Sequence, residues 1–408
     1  MSRTHRTSAN DTPRVHKVEK IELTDNNIKA RAIITIALVL LAAAAFGLGV
    51  WYFLKSDKGW QEIDLGVVNG YAHKDEYIFM YNLGQGERSA TSENRALSKL
   101  YNEAMTRVYP LFDNYVLYDG VNNLRYINAH PNTEIEVDEL LYNAFALLKE
   151  KGVRTMYLAP VYETCSDLFA RRNDAEAELL DPFYNEDYAA LYAQMAEYAR
   201  DASAVDLQLL GGNKVKLFVS DEYLAYAKDT AIGSYIDLWF IQNAFIVDYC
   251  ADTVTANGYT LGYLSSFDGY TRNFDGSGAE YSYEIREKID GVLYTVDTLD
   301  YSKPAAFVDF RNYAISPFED ERRFYTYETG DVCSDWLDIS DGFSRTALPD
   351  IVCYSYEKSC AEIAANAVTL YISDEFYKDA WDALSTSGIF YAYSLDRKIS
   401  TNDTNTKY

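Results

Sequence analysis

Histidine is scarce in this chain: His5, His16, His73 and His130 are the only four in 408 residues, and two of them precede residue 32. They form no H-E-x-x-H pair and no recognisable Ser/His/Asp pattern, so the common zinc-hydrolase and serine-hydrolase signatures are excluded. The five cysteines, Cys165, Cys250, Cys333, Cys353 and Cys360, include no C-x-x-C pair. Neither a metal framework nor a dense disulfide scaffold follows from them. Their odd number leaves at least one thiol free, with one or two disulfides open to a chain outside the cytosol. Positive charge is also in short supply, 37 Lys/Arg against 62 Asp/Glu, a balance that repels nucleic acid and anionic lipid. There is no internal repeat and no Pro/Ser-rich linker, so a single α+β domain is the economical reading of the body.

Formal charge is missing altogether from Ala32 to Leu54 (AIITIALVLLAAAAFGLGVWYFL), a run of 23 residues. At 1.5 Å per residue this helix would be about 35 Å long, enough for the roughly 30 Å hydrocarbon core of a bilayer with some tilt. The sequence therefore predicts a transmembrane helix over residues 32–54. Arg14, Lys17, Lys20, Lys29 and Arg31 precede it and only Lys55 and Lys58 follow closely, which places residues 1–31 in the cytoplasm as a basic head and the bulk of the chain outside. A cleaved signal peptide is the competing reading, since Ala42–Ala45 offers small residues. Its apolar region would be unusually long, and its leader already has 31 residues.

Beyond residue 31 the chain holds 30 Lys/Arg and 58 Asp/Glu. A solvated acidic surface on an extracytoplasmic protein explains this without a specific cationic ligand. Hydrophobic residues make up 48% and aromatics 15% of the chain, and tyrosine alone occurs 37 times, which is not a disordered composition. Tyr184, Tyr188, Tyr192 and Tyr198 sit at helical spacings. A tyrosine-rich core edge accounts for them better than a carbohydrate-stacking surface, because tyrosine is enriched along the whole body.

Strands are predicted over 62–68, Tyr77–Leu83 (YIFMYNL), Lys214–Val219 (KVKLFV), 259–266, 292–296, 305–310, 324–327 and 351–356. Helices are predicted over 87–108 and ended by Pro110, then over 137–150, 184–200, 242–257 with Gly258 closing it, 359–371 and 374–384. Residues 394–408 read as a loose polar tail. The DGSG at Asp275–Gly278 is a turn rather than a calcium loop.

From Tyr109 to Asn128 the chain reads YPLFDNYVLYDGVNNLRYIN, followed by a helix that opens VDELL. This resembles the ApbE-like family, the FAD:protein FMN transferases, in which an LFD-x-Y…N-L-x-x-IN block precedes V-D-x-x-L-x-x-LL. Phe112, Asp113, Tyr115, Asn123, Leu124, Ile127, Asn128, Val137 and Asp138 carry the match. Later blocks follow in order. IDLWFIQNAFIVD (236–248) stands where the family has LD-x-G-x-I-A-K-G-Y-A-x-D, and SSFDG (265–269) where it has S-x-GGN. DWLDISDG (335–342) stands for H-I-I-D-P-x-T-G, and IVCYSYEKSCAEIAANAVT (351–369) for V-T-V-V-A-P-S-A-x-x-A-D-A-L-A-T-A-L. Residues 156–228 match poorly. The resemblance implies an ApbE-like α+β domain over 55–393, FAD as substrate, Mg²⁺ as cofactor and a partner protein as flavin acceptor.

The same resemblance carries the cofactor site onto Gln242, Asn243, Gly269 and Asp338, and the metal onto Glu362, Asn366 and the backbone carbonyl of Gln242. Flavin transfer is attack on a phosphoanhydride, which needs a divalent cation on the pyrophosphate oxygens. Several residues depart from the pattern. The metal-ligating Asp is Glu362 and the Thr of that motif is Asn366; these two are otherwise a solvent-facing i, i+4 polar pair. A-K-G-Y is Gln242, Asn243, Ala244 and Phe245, which loses the lysine charge and the glycine. An upstream glycine is Trp239, the histidine of H-I-I-D-P is Asp335, and GGN is Phe267, Asp268 and Gly269. Asp338 reads as a turn cap as readily as a ligand, and Asp113 and Asn128 as holders of local turns. Three functions are consistent with this: a catalytically diverged module that binds a flavin, a nucleotide or a partner protein of an envelope or redox system; an active Mg²⁺-dependent FMN transferase; and a structural cell-envelope protein.

Overall fold

The computed structural model describes Leu38 and residues 58–66, 76–172 and 174–404. The basic head and the apolar run 32–54, apart from Leu38, lie outside the described residues. Among the described residues no helix is long and apolar enough to cross a membrane.

In chain order the body runs β1 (Gly59–Glu62), β2 (Tyr77–Leu83), α1 (Ala90–Phe112), α2 (Leu124–Ala129), β3 (Glu134–Glu136), α3 (Glu139–Glu150), α4 (Ala159–Arg171), α5 (Glu186–Arg200), β4 (Val205–Gly211), β5 (Lys214–Val219) and α6 (Asp221–Asp229). It continues with α7 (Gln242–Ala256), β6 (Gly262–Ser266), β7 (Tyr270–Asn273), β8 (Tyr281–Ile289), β9 (Val292–Tyr301), β10 (Ala305–Arg311), α8 (Pro317–Arg323), β11 (Tyr325–Thr326), β12 (Val332–Cys333), β13 (Asp350–Ser355), α9 (Cys360–Tyr371), α10 (Lys378–Ala383), β14 (Phe390–Leu395) and β15 (Lys398–Thr401). The main sheet has eight strands in the order β1-β2-β6-β7-β10-β13-β14-β15, and every pairing in it is antiparallel. A smaller sheet, β3-β5-β4, lies in the middle of the chain, and β8 pairs with β9 as a separate hairpin.

The core follows from strand periodicity. All seven residues of β10 (AAFVDFR) are buried, so this antiparallel strand is covered on both faces. Ala306, Val308 and Phe310 belong to the main core with α7 and α9. Ala305 and Phe307 instead join Leu299, Val352 and Tyr354 in a second cluster beneath the β8–β9 hairpin, where the Tyr283 and Phe307 rings stack at 4.3 Å. The odd-numbered face of β10 also carries Asp309 and Arg311, which matters below.

Three sequence expectations need correction. Pro110 does not end α1, which runs on to Phe112. A proline in the last turn removes a single hydrogen bond, and burial of Leu111 and Phe112 outweighs that loss. The predicted strand 62–68 is displaced to Gly59–Glu62, in register with Leu83 to Met80 of β2. The tail is not loose from 394: β14 and β15 form a hairpin across Asp396 and Arg397, both at positive φ (53° and 58°), as a tight two-residue turn demands. Asp403 is buried and accepts a hydrogen bond from the Tyr354 hydroxyl at 2.9 Å. The segment looks polar because β15 is an edge strand with one solvated face.

Candidate functional site

A cavity of about 560 Å³ opens where the C-terminal end of α1, the 113–115 turn, α4, the 237–241 loop, the first turn of α7, Phe267 and α8 meet. The loop is fixed by a chain of amides. The Asn128 side chain accepts from Tyr235 N and Ile236 N at 2.9 and 3.1 Å and donates to Asn114 Oδ1 at 2.6 Å. Asn114 Nδ2 donates in turn to Asp237 Oδ2 at 2.9 Å, and Asp237 Oδ1 accepts from Trp239 N at 2.9 Å. Asp113 holds the facing turn, accepting from Tyr115 N, Val116 N and the Tyr118 hydroxyl. Asp113 and Asn128 thus hold turns and backbone, as their positions suggested. The result is a presented indole: Trp239 stands edge-on to Tyr115 and Phe169, centroids 6.5 and 6.2 Å away.

The lining is acidic. Glu76, Asp113, Asp237 and Glu321 contribute to it, against Arg172 and Arg322. Both arginines already have partners, Arg172 on the Asp320 carboxylate and carbonyl and Arg322 over the Phe318 ring at 3.7 Å. Burial pushes the Asp237 carboxyl up to about 6, against the opposing hydrogen bonds from Asn114 and Trp239. A carboxyl whose folded pKa is raised binds its proton more tightly in the native state, so its contribution to stability is complete below the unfolded value and is lost as pH rises through about 6. Stability is therefore expected to fall by roughly 2 kcal/mol between pH 4 and 7 from this group. Urea unfolding across that range checks it, and Asp237→Asn should flatten the slope even if its amide costs some stability at every pH.

Of the residues expected to bind cofactor, Gln242 and Asn243 line this cavity. Asn243 is buried, accepting from the Tyr77 hydroxyl at 2.6 Å and donating one amide N–H to Asp268 Oδ2 at 2.9 Å. Gly269 lies behind the wall at φ +107°, close to the Asp309 carbonyl. Asp338 is elsewhere: it accepts from Ser340 N at 2.7 Å and pairs with Arg345 at 3.0 Å, the turn-capping role.

Glu362 and Asn366 are also absent from the lining. Glu362 closes a capping box at the start of α9, its Oε2 accepting from Ser359 N at 3.1 Å while Oε1 pairs with Lys358 at 3.0 Å. Burial works against its charge, yet the Ser359 amide and Lys358 hold its carboxyl below the ordinary value. Asn366 donates to the Glu362 carbonyl at 2.7 Å. Among the described residues, no three His, Cys, Asp or Glu side chains are grouped to hold a metal ion. Of the donor set carried over from the family, Gln242 lines the cavity and Glu362 and Asn366 do not, and the lining holds more carboxylates than guanidinium groups, which disfavours an anionic ligand.

Asp335 brings a negative charge to the position where the family-like pattern has histidine. The structure neutralises it. Arg323 Nη2 contacts both Asp335 oxygens at 2.8 and 2.9 Å, and a buried chain of alternating sign continues through Glu319 (2.8 Å), Arg311 (2.8 Å) and Asp309 (2.6 Å) to Arg286 (3.4 Å). Arg311 and Arg323 also donate to the carbonyls of Phe267 and Asp268 at 2.9 and 3.4 Å, so the 267–269 loop rests on two guanidinium groups. Asp248 was missed as well: from mid-α7 it receives Cys360 N and Ala361 N at 3.0 and 2.8 Å and pairs with Arg272, which joins α7 to the start of α9. The Glu319–Arg323 pair is at i, i+4 and so was within reach of sequence reasoning, whereas the links of Asp248 to Arg272 and Cys360 span 24 and 112 positions and have no local signal.

No protein-family profile matches this chain, and no curated protein matches it in sequence. Solved structures do. The chain is similar to the ApbE protein of Thermotoga maritima, with a TM-score of 0.56 and 13% identity over 85% of this chain and 98% of that one. It is also similar to the flavin transferase ApbE from Vibrio cholerae, with a TM-score of 0.52 and 12% identity over 84% and 96%. The chain has an ApbE-like fold, strongly diverged in sequence. Such a likeness establishes the fold, and the site must speak for the activity.

Proposed function

We propose that this protein is a membrane-anchored, extracytoplasmic binding module on an ApbE-like scaffold, which has given up Mg²⁺-dependent flavin transfer. The observation that carries the reading is the engagement of Glu362: its two oxygens serve a helix cap and a lysine, and among the described residues no group of three or more His, Cys, Asp or Glu is placed to hold a metal ion. A cavity bordered by Trp239, Tyr115, Phe169 and Phe267 persists. It suits a planar aromatic ligand that is neutral or cationic, because aromatic walls favour flat rings and cations while the four carboxylates oppose a dianion. The apolar run 32–54 and the preceding basic residues support the anchor and its orientation.

Calorimetric titration with FAD, with and without Mg²⁺, tests this. The expected result is no saturable Mg²⁺-dependent heat at millimolar FAD. Glu362→Ala is expected to cost about 1 kcal/mol of stability through the lost cap, equally with and without Mg²⁺. Saturable, metal-dependent FAD binding that Glu362→Ala abolishes would overturn the proposal and restore the transferase, with Gln242, Glu362 and Asn366 on the metal.

A further inference from the structure

We propose that Cys165 and Cys333 form a disulfide bond in the mature protein, an inference that rests on the extracytoplasmic placement of the body. The two sulfur atoms lie 2.9 Å apart although 168 positions separate them in sequence. Closure to a bond of about 2.05 Å needs a movement of about 0.9 Å. Both side chains are buried, Cys165 on α4 and Cys333 on β12, with the Tyr192 hydroxyl 3.6 Å from the Cys165 sulfur.

The other three cysteines have different neighbours. Cys250 donates to the Met105 sulfur at 3.3 Å. Cys360 is directed at the carbonyls of Thr271 and Phe307, at 3.3 and 3.6 Å. Cys353 sits in β13 between β10 and β14. The odd cysteine count thus resolves into one pair and three thiols.

The oxidant is a protein disulfide of the oxidising compartment. One of the two cysteines, as thiolate, attacks that disulfide, forming a mixed disulfide and releasing one oxidant sulfur as thiolate. The second attacks the sulfur of the first, the Cys165–Cys333 bond forms, and the other oxidant sulfur leaves. Two electrons pass to the oxidant, and the two protons given up by the cysteines balance those its thiolates acquire. The exchange takes place before α4 docks, since burial leaves no path for an oxidant afterwards and pushes the Cys333 thiol up. The bond is therefore structural. It fixes α4, whose Ser166, Phe169 and Ala170 form one wall of the cavity, against the β11–β12 ribbon.

The test uses the full chain in its membrane, with thiols blocked at lysis, then alkylated in denaturant and weighed before and after reduction. Three of the five cysteines are expected to carry the label before reduction and all five after it, with a linked peptide containing Cys165 and Cys333. Five labels before reduction, or a linked peptide joining any other pair, would overturn the proposal. Protease added to intact spheroplasts reports separately which side the body occupies. Five labels on a body cleaved from outside refute the disulfide alone, whereas five labels on a protected body refute the disulfide and the proposed location together.

Discussion

Arg323→Ala is expected to destabilise the body by about 3–5 kcal/mol. Arg323 is fully buried between two carboxylates, Glu319 and Asp335. Removing it leaves Asp335 with no cation in contact and Glu319 with Arg311 alone. The loss does not measure the strength of the ion pair; it reflects an uncompensated charge left out of water. A double replacement by apolar groups, Arg323→Met with Asp335→Leu, should therefore recover much of the stability. Because burial already raises the Asp335 carboxyl above its ordinary value, the Arg323→Ala deficit should shrink in acid as that carboxyl takes up a proton. Urea unfolding of the three proteins at pH 7 and pH 4 gives the comparison. A loss below 1 kcal/mol at neutral pH would show that water reaches the chain of charges.

Gly269→Ala should be nearly as damaging, at about 4 kcal/mol from backbone strain and overpacking together. The residue has φ +107°, outside the regions open to side chains, and an added Cβ would lie 2.5 Å from the Asp309 carbonyl and 3.1 Å from Arg311 Nη1. The methyl cannot be relieved by a side-chain rotation, because the first obstacle is backbone in a fully buried strand. Thermal unfolding of Gly269→Ala should show a lowered midpoint, and its crystal structure a displaced 267–269 loop. A variant as stable as the parent would mean that the loop has a second resting position.

What could be read in the sequence was local. YIFMYNL and KVKLFV alternate cleanly and became β2 and β5 with the predicted limits. The helix predicted from Ser359 starts there, although the capping box that Ser359 makes with Glu362 came only from the structure. The order of the family-like blocks also led to the right fold. The site was less legible. Asp335 and Glu362 have sequence positions that suggest cofactor chemistry, but their partners, Arg323 and Lys358, decide what they do. α8 was missed because its PFEDERR carries ionisable groups where a core helix usually shows apolar ones, and Glu319 and Arg323 are buried only because each neutralises another. β15 was missed because a half-solvated strand at a sheet edge, KIST, has the composition of a tail.

The strand order has a consequence for how the chain reaches its fold. β1 and β2 adjoin, but the next strand across the sheet is β6, made only after α1 to α7 and the entire β3-β5-β4 unit. The amide edge of β2 is therefore left open while residues 84–261 are made, although the helices of that stretch already exist. Non-local pairing of this kind slows folding and exposes an edge to other chains in the meantime. A ribosome-bound chain stopped before residue 262 should accordingly hold its central helical region but not its main sheet, and refolding of the whole body should be limited by the late arrival of β6 beside β2.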